Sequence, residues 1–114
     1  MLISIVTVVK NNNKHISRTL QSILEQTYKN IELIVIDGQS NDGTDHIVKK
    51  YFKQFKYINR KDKSVYDSLN FACKIAKGKF LGFLHSGDIY YDKNVITKFA
   101  KNLNKNVDLL CSNI

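Results

Sequence analysis

The sequence contains little cysteine and no long apolar run. With Cys73 and Cys111 alone, a disulfide framework and a four-cysteine zinc site are both excluded. No apolar run approaches the roughly 20 residues that a membrane-spanning helix needs. A Walker A loop and a G-x-G-x-x-G motif are also missing, which excludes the usual ATPase and dinucleotide-binding functions. The length of 114 residues predicts one domain, over residues 1–114, and the small number of cysteines favours the reducing environment of the cytoplasm.

Charge of one sign predominates. Lysine and arginine outnumber aspartate and glutamate by 18 to 10, so the formal net charge is +8. An excess of this size raises nucleic-acid binding as a hypothesis. The lysines are spread along the chain, however, and no block of like charges occurs. This pattern favours solvated helix faces over a groove for a polyanion, and we therefore expect no nucleic-acid partner.

Short apolar runs rich in β-branched residues alternate with helical patterns. The runs 2–9, 31–36, 56–59, 79–84 and 107–111 predict strands, and the segments 16–24, 44–55, 64–77 and 94–103 predict helices. Such alternation predicts an α/β fold with a parallel sheet and helices on both faces. The residues of the third helix that we expect to face inward are Val65, Leu69, Ala72, Cys73 and Ala76.

Local features of three of these segments also follow from the pattern. Asn12 or Asn13 is available to cap the first helix. Gly78 is placed just past the third helix, where a glycine commonly ends one. Cys73, on the predicted apolar face of that helix, and Cys111, in the last strand, are interpreted as packing residues.

Polar clusters follow four of the predicted strands. In open parallel sheets, ligands bind outside the carboxyl ends of the strands, so we expect these clusters to border one crevice. Asp88, after the flexible Gly87, could bind a hard divalent cation, and Asp37 could bind a base or ribose. Asp67 and Asn70 could position a diphosphate-sugar. Each residue taken alone fits a turn or a helix start equally well.

The segments ISIVTVVKNN, QSILEQTYKNIELIVIDGQSNDGT and KDKSVYDSLNFACKIAKGKFLGFLHSGDIYY together resemble the family 2 glycosyltransferases. The similarity is greatest to the bacterial group that builds lipopolysaccharide, capsule and colanic-acid-type polysaccharides. It extends over essentially the whole chain. The resemblance implies the GT-A fold, which is a three-layer α/β/α, Rossmann-like architecture with a mostly parallel sheet.

The resemblance also implies roles for individual residues. The residues implied to bind the donor are Thr7, Val9, Asp37, Lys61, Asp62, Asp67, Asn70, Ser86 and Gly87. Thr7 and Val9 match positions of the base pocket, and Asp37 matches the acid that binds the base. Asp88 matches the last carboxylate of the family's D-x-D metal motif, here reduced to S-G-D. It is thereby the implied ligand of Mg²⁺ or Mn²⁺.

The implied activity is inverting sugar transfer from a nucleotide-diphosphate sugar, with UDP as the expected nucleotide. The acceptor is expected to be a cell-surface polysaccharide or a lipid-linked saccharide, which implies peripheral association with the inner membrane at its cytoplasmic face. Whole enzymes of the family carry the general base in an acceptor-binding half beyond the metal motif. Because this chain ends at Ile114, we expect a truncated fold without a catalytic residue and nearly inactive alone. The alternative is a non-catalytic nucleotide-sugar-binding or partner-binding module.

Overall fold

A computed structural model describes residues 1–50 and 55–102, in which strands and helices alternate. The strands are β1 (Ile3–Val9), β2 (Ile31–Asp37), β3 (Lys56–Asn59) and β4 (Phe80–Phe83). The helices are α1 (Ile16–Leu24), α2 (Thr44–Lys49), α3 (Val65–Ile75) and α4 (Val95–Asn102). The predicted strand over 107–111 lies outside the described residues, as does its Cys111.

The strands form one sheet in the order β3-β2-β1-β4, and every pairing is parallel. The register places Val9 of β1 beside Asp37 of β2, which in turn lies beside Asn59 of β3. The carboxyl ends of all four strands therefore meet at one edge, as the sequence predicted. We call this the carboxyl edge of the sheet.

Helices cover both faces of the sheet. Along β1 the side chains alternate: Ile5 and Val9 pack with α1, α2 and α4, whereas Val6 packs with Ala72 of α3. Both clusters consist mainly of buried aliphatic side chains. The three-layer α/β/α architecture predicted from the resemblance is thus confirmed.

The buried face of α3 differs from the predicted one. Val65 is 40% exposed and Cys73 is also exposed, so the prediction that they pack inward is wrong. Ala72 and Ala76, which were also predicted to face inward, do pack against the sheet, together with Ile75. The buried stripe is therefore rotated from the predicted one, and the sequence pattern did not distinguish between the two.

Three predicted boundaries also differ. The residue that caps α1 is His15, without a side-chain hydrogen bond, whereas Asn12 contributes its backbone carbonyl to the N–H groups of His15 and Ile16. Among the described residues α2 ends at Lys49, so Phe55 lies outside it, just before β3. Gly78 does not end α3 in a left-handed conformation. The helix ends at Ile75, and its C-cap residue, Ala76, has an extended backbone.

Candidate functional site

Hydrogen bonds join the loops at the carboxyl edge. The Asn11 N–H donates to Ser40 Oγ at 2.8 Å, and the Asn41 N–H donates to Asn11 Oδ1 at 2.8 Å. The Asn12 side chain donates to Ser86 Oγ at 3.1 Å, which links the loop after β1 to the loop after β4. The structure therefore brings together three of the polar clusters that are distant in sequence.

Asp37 ends β2 and is completely buried. Its Oδ1 accepts hydrogen bonds from the N–H and the hydroxyl of Ser40, at 2.9 and 2.6 Å. Its Oδ2 accepts the hydroxyl of Tyr57 at 2.6 Å. These bonds hold the turn after β2 and connect it to β3. The sequence suggested that Asp37 contacts a base, whereas in the structure both of its carboxylate oxygens bind groups of the protein itself.

Two tyrosines are predicted to make the protein sensitive to alkali. Burial, followed by the hydrogen bond to Asp37, raises the pKa of Tyr57, and burial raises the pKa of Tyr90 to about 12. In the unfolded chain tyrosine ionises near pH 10, so the unfolded state loses these protons first. The stabilisation is complete below about pH 10 and is lost as the pH rises towards the folded-state pKa values.

Denaturant titrations across that pH range will measure this effect on the free energy of unfolding. We expect Tyr57→Phe and Tyr90→Phe each to flatten the decline, with Tyr91→Phe, which changes an exposed tyrosine, as the matched control. A free energy of unfolding that stays constant over the range in the unmodified protein would contradict the prediction.

The side chains of Thr7 and Val9 lie in the core, with 0% and 1% exposure. Thr7 Oγ1 has no hydrogen-bond partner within residues 1–50 and 55–102. Val8 points to the opposite face of the sheet, is partly exposed and borders a hollow at the carboxyl edge. Strand alternation therefore gives Val8 the accessible side chain among these three residues.

Two hollows lie beside the loop that follows β3. The first, which we call the edge cleft, has a volume of about 300 Å³ and is lined by Val8, Val9, Lys10, Gly38, Lys61, Asp62, Lys63, Ser64, Val65 and Ser68. The second, the α3 groove, has a volume of about 470 Å³ and is lined by Arg60, Lys61, Asp62, Lys63, Asp67, Asn70, Phe71 and Lys74. Of the predicted donor-binding residues, Val9 lines only the cleft, Asp67 and Asn70 line only the groove, and Lys61 and Asp62 line both. The linings of the two hollows do not include Thr7, Asp37, Ser86 and Gly87.

The loop between the two hollows is fixed by Asp62. Its carboxylate accepts hydrogen bonds from Arg60 Nε and Ser68 Oγ, both at 2.7 Å. Burial alone would raise the pKa of Asp62, but these two hydrogen bonds and the charge of Arg60 outweigh it and lower the pKa. Asp62 is therefore a carboxylate that organises the loop.

Asp67 and Ser64 form the start of α3. Ser64 Oγ accepts the Asp67 N–H at 3.3 Å, and the Asp67 carboxylate accepts the N–H of Lys63 at 3.1 Å. This reciprocal arrangement resembles a capping box, in which two backbone donors at a helix start are satisfied. Asp67, which the sequence suggested as a donor contact, thus has a structural role at the helix start, whereas Asn70 is exposed to the groove.

Asp88 stands at the end of a tight turn after β4. Gly87 has a φ of 98°, a left-handed conformation that favours glycine, and its N–H donates to Thr19 Oγ1 at 2.7 Å. The Asp88 N–H donates to the His85 carbonyl at 3.0 Å. Among the described residues no hydrogen bond or ion pair engages the Asp88 carboxylate, which is partly exposed at the carboxyl edge.

Helix α1 and the residues just after it hold the segment that contains Asp88 through a row of polar side chains, Thr19, Ser22 and Gln26. Thr19 binds Gly87, and Ser22 Oγ accepts the Tyr90 N–H at 3.4 Å. Gln26, only 1% exposed, donates to the Asp92 carbonyl at 2.7 Å and accepts the Ile96 N–H at 3.1 Å. The sequence analysis missed this row, although its i, i+3, i+7 spacing is visible in the printed sequence.

Within the described parts of the chain, no group of three His, Cys, Asp or Glu side chains could hold a metal ion. Of the side-chain carboxylates in residues 1–50 and 55–102, Asp88 is the one without a hydrogen bond or ion pair. A hard divalent cation takes oxygen ligands and commonly keeps few protein contacts when phosphates supply the remainder. The residues present therefore fit a cation held jointly by Asp88 and a diphosphate, and do not fit an all-protein metal site.

Sequence comparison decides the family. The family model described as glycosyl transferase family 2 matches residues 4–114, nearly the whole chain. The chain belongs to glycosyltransferase family 2. The resemblance inferred from the three sequence segments is thereby confirmed.

Individual relatives agree with this membership. The chain is 34% identical over 113 residues to an uncharacterised glycosyltransferase of Rickettsia prowazekii, an alignment that covers 96% of the chain and 36% of that protein. It is 38% identical over 105 residues to the Escherichia coli protein WfaP, named UDP-Glc:α-D-GlcNAc-diphosphoundecaprenol β-1,3-glucosyltransferase. That alignment covers 90% of the chain and 40% of WfaP. The chain thus spans well under half the length of these relatives.

A solved structure with the same fold is that of Staphylococcus aureus TarS, residues 1–349, in complex with UDP-GlcNAc. It superimposes with a TM-score of 0.84 at 27% identity, covering 92% of this chain and 32% of the TarS chain.

In the described segments of this chain, no helix combines the length and hydrophobicity needed to cross a bilayer.

Proposed function

We propose that this family 2 chain is the donor-binding part of a glycosyltransferase that takes its sugar from a nucleotide-diphosphate sugar, with UDP as the nucleotide. The observation that carries the proposal is the unpaired Asp88 carboxylate at the carboxyl edge of a GT-A sheet. The TarS complex contains UDP-GlcNAc, and the name of WfaP specifies UDP-glucose. Both support UDP as the nucleotide.

The acceptor that we propose is a lipid-linked saccharide or growing polysaccharide. The name of WfaP, which states a diphosphoundecaprenol-linked acceptor, supports this class. An acceptor of that kind is anchored in a membrane, so the protein would work at the cytoplasmic face of the inner membrane. The transfer is proposed to invert the anomeric centre, and the base that deprotonates the acceptor is not among the residues assigned here.

The edge cleft is proposed to receive the nucleoside. Val8 supplies an apolar wall, Lys10 and Lys61 supply charge, and Gly38 leaves room beside the Lys10 side chain, whose Cβ is 3.6 Å from where a Gly38 Cβ would stand. Asp37 and the buried Thr7 and Val9 would act from beneath, by fixing the backbone that borders the cleft.

Asp88 is proposed to hold Mg²⁺ or Mn²⁺ together with the donor diphosphate, with Ser86 and Gly87 shaping the turn. Such an ion would neutralise the charge that develops on the leaving diphosphate. The protein's own contribution is orientation, because Asn12 and Thr19 tie this turn to the loop after β1 and to α1.

Calorimetry with UDP and Mn²⁺ tests the proposal on the purified chain. We expect Asp88→Asn to weaken the binding of UDP in the presence of Mn²⁺ by at least about tenfold, because the amide offers the cation no charge. In the absence of a divalent cation, the two proteins should bind UDP with similar, weak affinity.

Glu25→Gln is the matched control, since it makes the same chemical change at the exposed carboxyl end of α1, next to the opposite edge of the sheet. It should bind UDP and Mn²⁺ as the unmodified chain does. Absence of UDP binding by the unmodified chain would contradict the proposed function, and equal affinities for the unmodified chain and Asp88→Asn would remove Asp88 from it.

A further inference from the structure

Two exposed apolar side chains follow the Asp88 turn. Ile89 is 40% exposed and Tyr91 is 71% exposed, whereas Tyr90 between them is only 6% exposed and belongs to the core cluster that includes Ile96 of α4. The Tyr90 N–H also donates to an α1 side chain, Ser22 Oγ, at 3.4 Å. Because Tyr90 is anchored inward by its ring and its backbone, the residues on either side of it are held outward.

A hollow of about 340 Å³ lies between this segment and α1. Its lining includes Arg18 and Gln21 on α1, Glu25 at the end of that helix, and Ile89. We call this hollow, together with the exposed Ile89 and Tyr91, the α1 surface. The residues proposed above to hold the donor and the cation do not line the hollow. The α1 surface therefore adjoins Asp88 without being part of the edge cleft or the α3 groove.

Positive charge surrounds the α1 surface. Arg18 is exposed, as are Lys14, which precedes the N-cap of α1, and Lys93. Within residues 1–50 and 55–102, none of these three cations forms an ion pair. Of the nearby carboxylates, Glu25 accepts a hydrogen bond from a glutamine of the same helix, and Asp92 is paired with a lysine of α4. The charge that remains free here is mainly positive, which complements an anionic partner.

The α1 surface and the proposed nucleotide site lie on different sides of the sheet. Helix α1 packs on one face and α3 on the other. The edge cleft lies on the α3 side, where Val8 and Ser68 line it. Asp88 stands at the carboxyl edge, directly before Ile89 in the chain. A partner on the α1 surface would therefore approach Asp88 from the side that a bound nucleotide leaves open.

We propose that the α1 surface docks onto an anionic lipid bilayer, with Ile89 and Tyr91 among the headgroups and Arg18 bound to a headgroup phosphate. The inference rests on the proposed function, because the acceptor proposed there is anchored in a membrane. An amphipathic ring, an apolar side chain and unpaired cations together provide the apolar and the electrostatic contributions that bind a protein to such an interface. Docking in this way brings Asp88 next to the membrane that carries the acceptor.

Co-sedimentation of the purified chain with phosphatidylcholine vesicles, with and without phosphatidylglycerol, tests the charge of the surface. We expect the chain to bind the anionic vesicles, and the binding to weaken as salt is added, because salt screens exposed charges. Arg18→Glu reverses a charge at the headgroups and should weaken binding at least about tenfold. Lys79→Glu is the matched control, since it reverses an exposed charge at the amino end of β4, at the opposite edge of the sheet, and should have far less effect.

Three further variants test the hollow and the exposed ring. Glu25→Gln removes a carboxylate from the hollow and should strengthen binding to the anionic vesicles. Tyr91→Ser should weaken this binding, whereas Tyr66→Ser, which removes a 77% exposed ring from α3 on the other face of the sheet, should not. Circular dichroism should show that all these variants of exposed residues remain folded.

Three results would overturn the proposal. One is failure of the unmodified chain to bind anionic vesicles. Another is equal weakening by Arg18→Glu and Lys79→Glu, or by Tyr91→Ser and Tyr66→Ser, because the α1 surface would then not be the part that binds. The third is self-association in sedimentation velocity that Tyr91→Ser abolishes, because it would assign the surface to a second copy of the chain.

Calorimetry separates this inference from the proposed function. Arg18→Glu and Tyr91→Ser should bind UDP and Mn²⁺ as the unmodified chain does, and Asp88→Asn should still bind the anionic vesicles. Binding of UDP without binding of vesicles would overturn this inference alone. Binding of vesicles without binding of UDP would contradict the proposed function and leave the α1 surface as a lipid-binding surface. Loss of UDP binding in Arg18→Glu would place Arg18 in the donor site and overturn its role at the headgroups.

Discussion

Gly78→Ala is expected to lower the free energy of unfolding by about 3 kcal/mol or more, through forced overpacking and the loss of a buried hydrogen bond. A Cβ at Gly78 would stand 2.5 Å from Ser4 Oγ and 2.6 Å from the Ser4 backbone nitrogen. The backbone of Ser4 is held in the central strand β1 between β2 and β4, so it cannot move aside. The strain must therefore be taken up by the packing of the sheet.

The clash also breaks a polar network at the edge opposite to the candidate site. Gly78 N–H donates to Ser4 Oγ at 2.9 Å, and Ser4 Oγ donates to Glu32 at 2.7 Å. Glu32 further accepts the Lys77 N–H at 2.8 Å. Rotation of the Ser4 side chain away from the new Cβ would leave the partly buried carboxylate of Glu32 with one donor fewer, which adds to the loss of stability.

Denaturant unfolding of Gly78→Ala, of the unmodified chain and of the control Gly38→Ala measures this loss in the free energy of unfolding. At Gly38 the nearest atom to an added Cβ is 3.6 Å away, an ordinary contact, so the control should retain the stability of the unmodified chain within about 0.5 kcal/mol. Equal stability of Gly78→Ala and the unmodified chain would show that the close approach to Ser4 is not maintained in solution.

Gly78 also illustrates which parts of the fold could be predicted. The β1 and β2 runs, LISIVTVV and IELIVI, are short, rich in β-branched residues and almost continuously apolar, which is typical of strands buried on both faces. Together with the helices between the strands, these runs predicted the parallel sheet. The role of Gly78 depends on Ser4, which is 74 residues away. A sequence pattern shows the glycine near a helix end and carries no sign of that distant neighbour.

In the candidate site, too, the sequence predicted the position of residues in the fold but not their environment. The sequence predicted that Asp37 and Asp88 would both reach the carboxyl edge, because each follows a strand that runs in the same direction. It did not distinguish their environments: Asp37 is buried with three donors on its carboxylate, whereas no hydrogen bond or ion pair in the described residues engages Asp88. Burial depends on which side of the strand a residue occupies, and a shift of one position reverses it.

Gln26→Leu is expected to lower the free energy of unfolding by about 2–4 kcal/mol, because a side chain of similar size would leave the Ile96 N–H and the Asp92 carbonyl without their partner. Both groups lie where the segment after Asp88 returns to the core, and Gln26 is almost completely buried between them. Gln21→Leu makes the same substitution on the exposed side of α1 and should cost far less.

The same variant should also weaken the proposed UDP and Mn²⁺ binding, since Gln26, just after α1, belongs to the row of polar side chains that holds the Asp88 segment. Thr19→Val tests this at the nearest point of the row, by removing the acceptor of the Gly87 N–H, and Thr19→Ser should restore it. If Gln26→Leu loses stability but binds UDP and Mn²⁺ with unchanged affinity, Gln26 supports the fold without positioning Asp88. If Thr19→Val weakens the Mn²⁺-dependent part of UDP binding and leaves the metal-free part unchanged, this row acts on the metal ligand itself.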